Sequence, residues 1–308
     1  MAFTASDVKA LRERTGVGMM DCKKALTEAD GDFDRAVDIL RERGLAAATK
    51  KAGRITAEGI VLAYYDENTG TSVLVEVNSE SDFVGKNAEF RQFVLDIAKT
   101  VAKENPADVE TLAGLKLVGS ERTVEENRQE KILSIGENMN IRRFVRLEGA
   151  VASYVHGAGA IGVLVRFETD PATAETDLFR EMGHNVAMQV AAMSPLYVRA
   201  DAVPAEVIEH EKAILAVQIE GDEKMKGKPE KVIAGIIAGR IAKYYKEVCL
   251  LDQAYFKDGD QSVGQYIAGV AKELGAQIAV ASYVRFAKGE NIEKKKDDFA
   301  DEVAKMIQ

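Results

Sequence analysis

Apolar positions three and four residues apart dominate the start of the chain. Val8 and Leu11, then Phe33, Ala36, Val37 and Leu40, fall on helical faces, so Thr4 to Leu45 predicts three short helices. Ser6 or Thr4 caps the first, and Thr15-Gly16-Val17-Gly18 ends it. Met19 to Ala29 forms the second, Asp30-Gly31-Asp32 turns the chain, and the third runs until Gly44. A unit this small holds only a marginal core. Met19 and Met20 are adjacent, so both cannot point into it; one is expected buried and one exposed, and an exposed methionine suits docking. Ala46 to Arg54, rich in alanine and basic residues, predicts a helical or flexible linker.

From Glu58 the pattern changes to strands and then repeats. Glu58-Gly59-Ile60-Val61-Leu62-Ala63-Tyr64 is echoed by Glu148-Gly149-Ala150-Val151-Ala152-Ser153-Tyr154. Val73-Leu74-Val75-Glu76-Val77 is echoed by Val163-Leu164-Val165-Arg166-Phe167 at the same offset. An amphipathic helix follows each hairpin, Ala88 to Lys103 and Asp177 to Met193, each ending before a proline, Pro106 or Pro195. Two copies of strand, turn, strand and helix imply an α+β fold with two related subdomains, each sheet covered by its own helix. Val124 to Gly136 predicts a linking helix before a strand at Ile141-Arg142-Arg143-Phe144-Val145. Pro204 to about Glu220 and Lys231 to Tyr245 predict an antiparallel helical hairpin turning at Gly227-Lys228-Pro229. A helix from Ser262 to Leu274, a strand at Gln277 to Phe286 joining the second sheet, and an amphipathic helix from Phe299 to Ile307 complete the pattern.

Phe83 fits neither period. Asn78 to Asp82 break the strand before it, and Asn87 caps the helix after it, leaving a large ring in the connection beside Asp82. Two readings are open: the ring folds under and plugs the local core, or it protrudes and inserts into a partner with Asp82 as its acidic companion.

Composition narrows the function classes. The 308 residues are 46% hydrophobic and 30% charged, with formal net charge −9. Residues 1–54 carry 11 basic against 9 acidic side chains, so the remainder sits at −11. No segment presents the dense basic face that a phosphate backbone requires, which argues against nucleic acid as a direct partner and against a ribosome- or RNA-associated role. Cys22 and Cys249 lie far apart among helical residues and suit free thiols in a reducing cytoplasm. The three histidines form no ligand spacing with them, so no metal site is expected. The charged helix that follows Met1-Ala2-Phe3-Thr4 is unlike a signal peptide, and no apolar run approaches a membrane span. Gly157-Ala158-Gly159-Ala160-Ile161-Gly162 matches G-x-G-x-x-G, but a strand follows where that motif needs a helix N-terminus, so a tight turn is expected and no cofactor. No catalytic triad, Cys/His pair or phosphate-binding G-x-x-x-x-G-K-[ST] loop is present, and the carboxylates fall mostly on helix faces; an enzyme is the least favoured class.

Four ordered blocks carry a family resemblance. Leu11-Arg12-Glu13-Arg14-Thr15-Gly16-Val17-Gly18-Met19-Met20-Asp21-Cys22-Lys23-Lys24-Ala25-Leu26, Ser81-Asp82-Phe83-Val84, Ile135-Gly136-Glu137-Asn138-Met139-Asn140-Ile141-Arg142-Arg143 and Tyr154-Val155-His156-Gly157 resemble bacterial elongation factor Ts, the guanine-nucleotide exchange factors for elongation factor Tu. The resemblance spans essentially the whole chain. It implies a ubiquitin-associated (UBA-like) three-helix module with linker at 1–54, core subdomains at 55–140 and 141–203 (the latter completed by 275–288), a coiled-coil hairpin at 204–247 that protrudes from the core, and a C-terminal module at 248–308. It implies that Ser81, Asp82, Phe83 and Val84 enter the partner's G domain beside the magnesium site, which favours insertion for Phe83. Met19, Met20 and Lys23 would touch the G domain, and His156 would grip the partner's other end. Ile135 belongs to a family contact block, though an apolar helix end in the core explains it equally. The partner would be bound both with GDP and nucleotide-free, in the cytoplasm, without bond chemistry; a dimer of complexes through the helical hairpin is compatible. Ser81 stands where threonine is common, Gly85 where alanine is, and Ala254 where proline is usual; the first two are expected to soften the loop and the third to weaken a C-terminal contact.

Overall fold

The computed structural model describes residues 3–221 and 229–293. The expected helix from Phe299 to Ile307, and Gly227 and Lys228 of the hairpin turn, lie outside the described residues. The fold mixes helices with small antiparallel sheets, and its chain divides into two compact units. Among the described residues, no helix is long and apolar enough to cross a membrane.

The first unit draws on Met1–Arg146, Val155–Gly162 and Phe286–Gln308. It opens with α1 (Ala5–Thr15), α2 (Met19–Glu28) and α3 (Phe33–Lys51). Thr4 caps α1 reciprocally with Asp7, and the Asp32 carboxylate caps α3 by accepting from the Arg35 amide at 2.9 Å. Leu11, Cys22, Ala25, Leu26, Ala36 and Leu40 fill the space between the three helices. Gly44 does not end α3 as its position suggests. A Cβ there would lie 3.5 Å from the Gln129 carbonyl oxygen, an ordinary contact distance, so α3 passes beside the later helix α7 (Val124–Ile135) at this point. The helix continues through the alanine-rich stretch, and Ala48 joins the main core.

That core lies between a sheet and its covering helices. Strands β1 (Glu58–Asp66), β2 (Thr71–Ser79) and β3 (Met139–Glu148) pair in the order β1-β2-β3, with β1 and β2 antiparallel from Glu58↔Ser79 to Asp66↔Thr71. Every residue of the central β2 is buried. Between β2 and β3 come α4 (Asp82–Lys86), α5 (Ala88–Glu104), α6 (Val109–Gly114) and α7 (Val124–Ile135). Phe90, Phe93, Val94, Ile97, Ala98 and Val101 of α5 pack on the sheet as their spacing predicts. One buried residue of β2 is charged. Glu76, fully enclosed, accepts from Arg143 Nε at 2.7 Å, Arg142 Nη1 at 3.1 Å, Asn78 Nδ2 at 3.1 Å and the Gly289 amide at 2.8 Å.

The second unit covers Leu147–Tyr154 and Val163–Arg285. Its elements are β4 (Ala150–His156), β5 (Ile161–Glu168), α8 (Pro171–Ala174), α9 (Asp177–Met193), α10 (Ala205–Gly221), α11 (Glu230–Val248), β6 (Ala254–Tyr255), β7 (Asp258–Ser262), α12 (Val263–Leu274) and β8 (Ala279–Ala287). Strand order β4-β5-β8 repeats the plan of the first sheet: a hairpin, and a third strand beside its second member. Gly183 of α9 lets the helix press on β4, since a Cβ there would meet that of Ala152 at 2.7 Å. Helices α10 and α11 pair over Ile208, Ile241 and their partly buried neighbours. The short β6–β7 hairpin is absent from the sequence reading: β6 is only two residues long, and β7 is polar with no alternation.

The G-x-G-x-x-G stretch is a turn leading into a strand. Gly157, Ala158 and Gly159 have φ of 59°, 56° and 107°, and β5 begins at Ile161. The same glycines permit contact: a Cβ on Gly159 would stand 2.9 Å from that of Ile60, and one on Gly162 2.5 Å from Val61 Cγ1. The Val61 amide donates to the Gly159 carbonyl at 2.8 Å.

Candidate functional site

Residues 79–87 form a short, tightly held projection between β2 and α5. Rather than a soft loop, Asp82–Lys86 is a one-turn helix, α4, entered from Ser81 in extended conformation. Its Phe83 ring is 77% exposed, so the core-plug reading does not describe it. Val84, grouped with it by resemblance as a contact residue, points the other way and is buried in the main core at 5% exposure. Successive residues of one helical turn cannot share a direction. The core takes Val84 and the solvent takes Phe83.

Lys86, four residues beyond Asp82, closes over both exposed side chains. Its Nζ donates to Asp82 Oδ2 at 2.7 Å and lies 5.7 Å from the centre of the Phe83 ring. That hydrogen bond holds the Asp82 carboxyl below the usual carboxylate range. At the far end, the Arg91 guanidinium donates to the Gly85 carbonyl at 3.0 Å, and Asn87 Oδ1 caps α5 by accepting from the amides of Glu89 and Phe90. Gly85 does not soften this segment. It is buried, and a Cβ there would sit 2.9 Å from the Gly59 carbonyl oxygen, so it seats α4 against β1.

The entrance is held from another part of the chain. Ser81 donates through its amide to Glu137 Oε2 at 2.9 Å and through Oγ to Glu137 Oε1 at 2.5 Å. Glu80 Oε1 accepts from the Asn138 amide at 2.6 Å and from Arg54 Nη1 at 3.4 Å. A threonine hydroxyl could replace that of Ser81 in this bond, so the departure costs the segment no anchor.

The remaining candidates sit elsewhere. Met19 and Met20, at the start of α2, are 41% and 64% exposed, so neither is the buried member of the pair; Val17, 1% exposed, occupies the core in front of α2. Lys23, exposed one turn on, lines an open groove with Met20, Lys24, Thr27, Glu28 and Arg43. Ile135 ends α7 half-buried against the main core. His156 ends β4 with an exposed side chain, and its carbonyl accepts from the Ala160 amide at 2.9 Å. The structure therefore brings Ser81, Asp82 and Phe83 together on one feature, and α2 carries its three candidates on a face of its own. Sequence reasoning missed Glu80, Lys86, Arg91 and Glu137. Lys86 had a signal in its i,i+4 spacing from Asp82, and Glu137 stood inside a quoted block; Glu80 and Arg91 had none.

Comparison with known proteins is consistent from end to end. The family model described as Elongation factor TS matches residues 80–290. A relative from Syntrophotalea carbinolica named elongation factor Ts is 50% identical over 309 residues, covering 99% of each chain. Elongation factor Ts of Clostridium kluyveri is 48% identical over 310 residues and that of Clostridium perfringens 49% over 307, again covering 99% of each chain. The chain belongs to the elongation factor Ts family.

Proposed function

We propose that this chain acts as translation elongation factor Ts: it binds elongation factor Tu in its GDP-bound form, loosens the magnesium side of the nucleotide site, and promotes GDP release so that GTP can rebind. It makes and breaks no covalent bond. The observation that carries this reading is Phe83, a large ring kept 77% in water beside an ionised Asp82 on a turn of helix anchored at both ends. GDP is gripped by amides around its phosphates and by a metal bridging phosphate to protein. A ring wedged beside that metal, with a carboxylate near the ion's own ligands, weakens the grip sterically and electrostatically.

On this reading Ser81, Asp82 and Phe83 form the working tip, with Val84 as its root in the core. Met19, Met20 and Lys23 hold the G domain from α2, and His156 holds the partner's other end, so the partner stays bound while its site is empty. Ile135, partly buried at the end of α7, is a further contact with the partner. The five-part division into 1–54, 55–140, 141–203 with 275–288, 204–247 and 248–308, and action in the cytoplasm, belong to the same proposal. The test is release of fluorescently labelled GDP from elongation factor Tu on adding the purified chain. Faster release with no nucleotide consumed is the expected result; unchanged release, or hydrolysis of the nucleotide, overturns it.

A further inference from the structure

We propose that Glu137 is the positioning residue that aims the Asp82–Phe83 pair, an inference that rests on the wedge role given to that pair. Two residues, Glu80 and Ser81, separate the end of β2 from the start of α4, and their backbone sets the direction in which α4 leaves the sheet. Ser81 stands at the N-cap of α4 but makes no side-chain capping bond to it. Its amide and its hydroxyl both turn instead to one carboxylate, that of Glu137, at 2.9 and 2.5 Å. Two bonds from one side chain to one residue fix rotation as well as position. Both are charge-assisted, a class about twice as strong as neutral hydrogen bonds.

The grip is reciprocal. Glu137 holds the amide of Ser81, and Glu80, the residue before Ser81, holds the amide of Asn138, the residue after Glu137, at 2.6 Å. Residues 80–81 and 137–138 thus clasp each other through two carboxylates and two amides. The outer half of the clasp is itself immobilised. Gly136, at φ 91°, closes α7 with its amide on the Ile132 carbonyl, and its own carbonyl accepts from Lys51 Nζ at 2.6 Å. Asn138 Nδ2 donates to the Arg54 carbonyl at 3.1 Å. The tip is therefore referenced to the end of α7 and the end of α3, besides the strand that precedes it. The core needs only Val84 and Gly85 from this segment. Phe83 is 77% exposed, with the Lys86 ammonium over its ring, so fixing the entrance orients a ring that faces mostly outward.

The test measures labelled-GDP release from elongation factor Tu as a function of the concentration of full-length factor. The variants are Glu137→Ala, Glu137→Gln, Phe83→Ala and the Glu137→Ala/Phe83→Ala double. Glu137→Ala is expected to lower the plateau rate on the order of tenfold, below the roughly hundredfold that a 1 Å misplacement can cost an assembled site, with the half-saturating concentration within about twofold of the parent. Glu137→Gln, which keeps an acceptor oxygen, restores part of the plateau. In the Phe83→Ala background the Glu137→Ala change has a clearly smaller effect, because only Asp82 remains to be aimed. Equal fold losses in both backgrounds, or an unchanged plateau, overturn the positioning role. If Glu137→Ala does not fold, Ser81→Ala takes its place, since it removes only the 2.5 Å bond; a plateau equal to the parent's overturns the proposal there too. A normal plateau for Phe83→Ala alone sinks the wedge reading, whereas a slow Phe83→Ala with a fast Glu137→Ala sinks only the role of Glu137.

Discussion

The amide of Gly289 donates to the carboxylate of Glu76 at 2.8 Å, joining residues 213 positions apart. Gly289 is held to this duty by its backbone: φ is 67°, and a Cβ would fall 2.1 Å from the Ala57 carbonyl oxygen. Burial pushes the Glu76 carboxyl up, but the bonds from Gly289, Asn78 and Arg143 outweigh it and hold the group below its ordinary value of 4.5. A carboxyl lowered in the folded state contributes stability that is complete above its unfolded value and is lost as pH falls through the folded one. Glu76→Gln should therefore cost about 2–3 kcal/mol at pH 7, less than a fully buried pair because both arginines reach water. The gap to the parent should narrow in acid. Urea unfolding at pH 7 and at about pH 3.5 checks this, and a gap of equal size at both contradicts it.

Phe83 and Val84 are neighbours with opposite duties, so their alanine variants should separate. Phe83→Ala is expected to leave unfolding free energy within about 0.5 kcal/mol of the parent while sharply slowing partner-stimulated GDP release. Val84→Ala, emptying a core position, should cost about 2 kcal/mol. Calorimetry beside the release assay decides; a large stability loss in Phe83→Ala would return that ring to the core.

Removal of residues 1–54 takes away α3 along with the small helical core. Ala48 leaves the main core, and the Ile132 and Gly136 carbonyls lose the Lys51 ammonium. The fragment 55–308 should keep its strands and helices by circular dichroism, melt at a lower temperature than the full chain and bind elongation factor Tu more weakly. An unchanged melting temperature would mean that α3 contributes nothing to the core it packs on.

If the tip loosens GDP by favouring a distorted partner, GDP must weaken binding of the exchange factor by the same factor, because coupling free energies are reciprocal. Asp82→Ala with Phe83→Ala should shrink the ratio of affinities for nucleotide-free and GDP-bound elongation factor Tu. Titration calorimetry with and without GDP and magnesium reads that ratio. Equal losses for both forms would make the pair an anchor only.

Local pattern carried the elements whose rules are local. The repeated hairpins, the α5 and α9 stripes and the Asn87 cap were all legible, because side-chain period and capping chemistry act over a few residues. Contacts between distant segments were not. Glu76 and Glu137 have the composition of solvated charges, and only folding shows one enclosed by two arginines and the other gripping Ser81. Gly44 looks like a helix stop, yet α3 runs on through it to Lys51. The five residues of α4 are too few to display a period, so the turn that separates Phe83 from Val84 was hidden in what looked like a loop. Pattern singled out Phe83 beside Asp82 and resemblance favoured insertion for the ring; of the residues that hold them, Glu80 and Arg91 came from geometry alone.

The exposure of Phe83 bears on how long an encounter lasts. Enclosing a phenylalanine completely is worth about 1.5–3 kcal/mol, roughly a tenfold to hundredfold change in occupancy. With 77% of the ring in water, about three-quarters of that gain would appear only on contact and vanish on separation. A single ring of this size shifts an equilibrium without locking it. In the proposed role, a tip of this size would suit repeated cycles of arrival and departure, limiting residence time as much as permitting insertion.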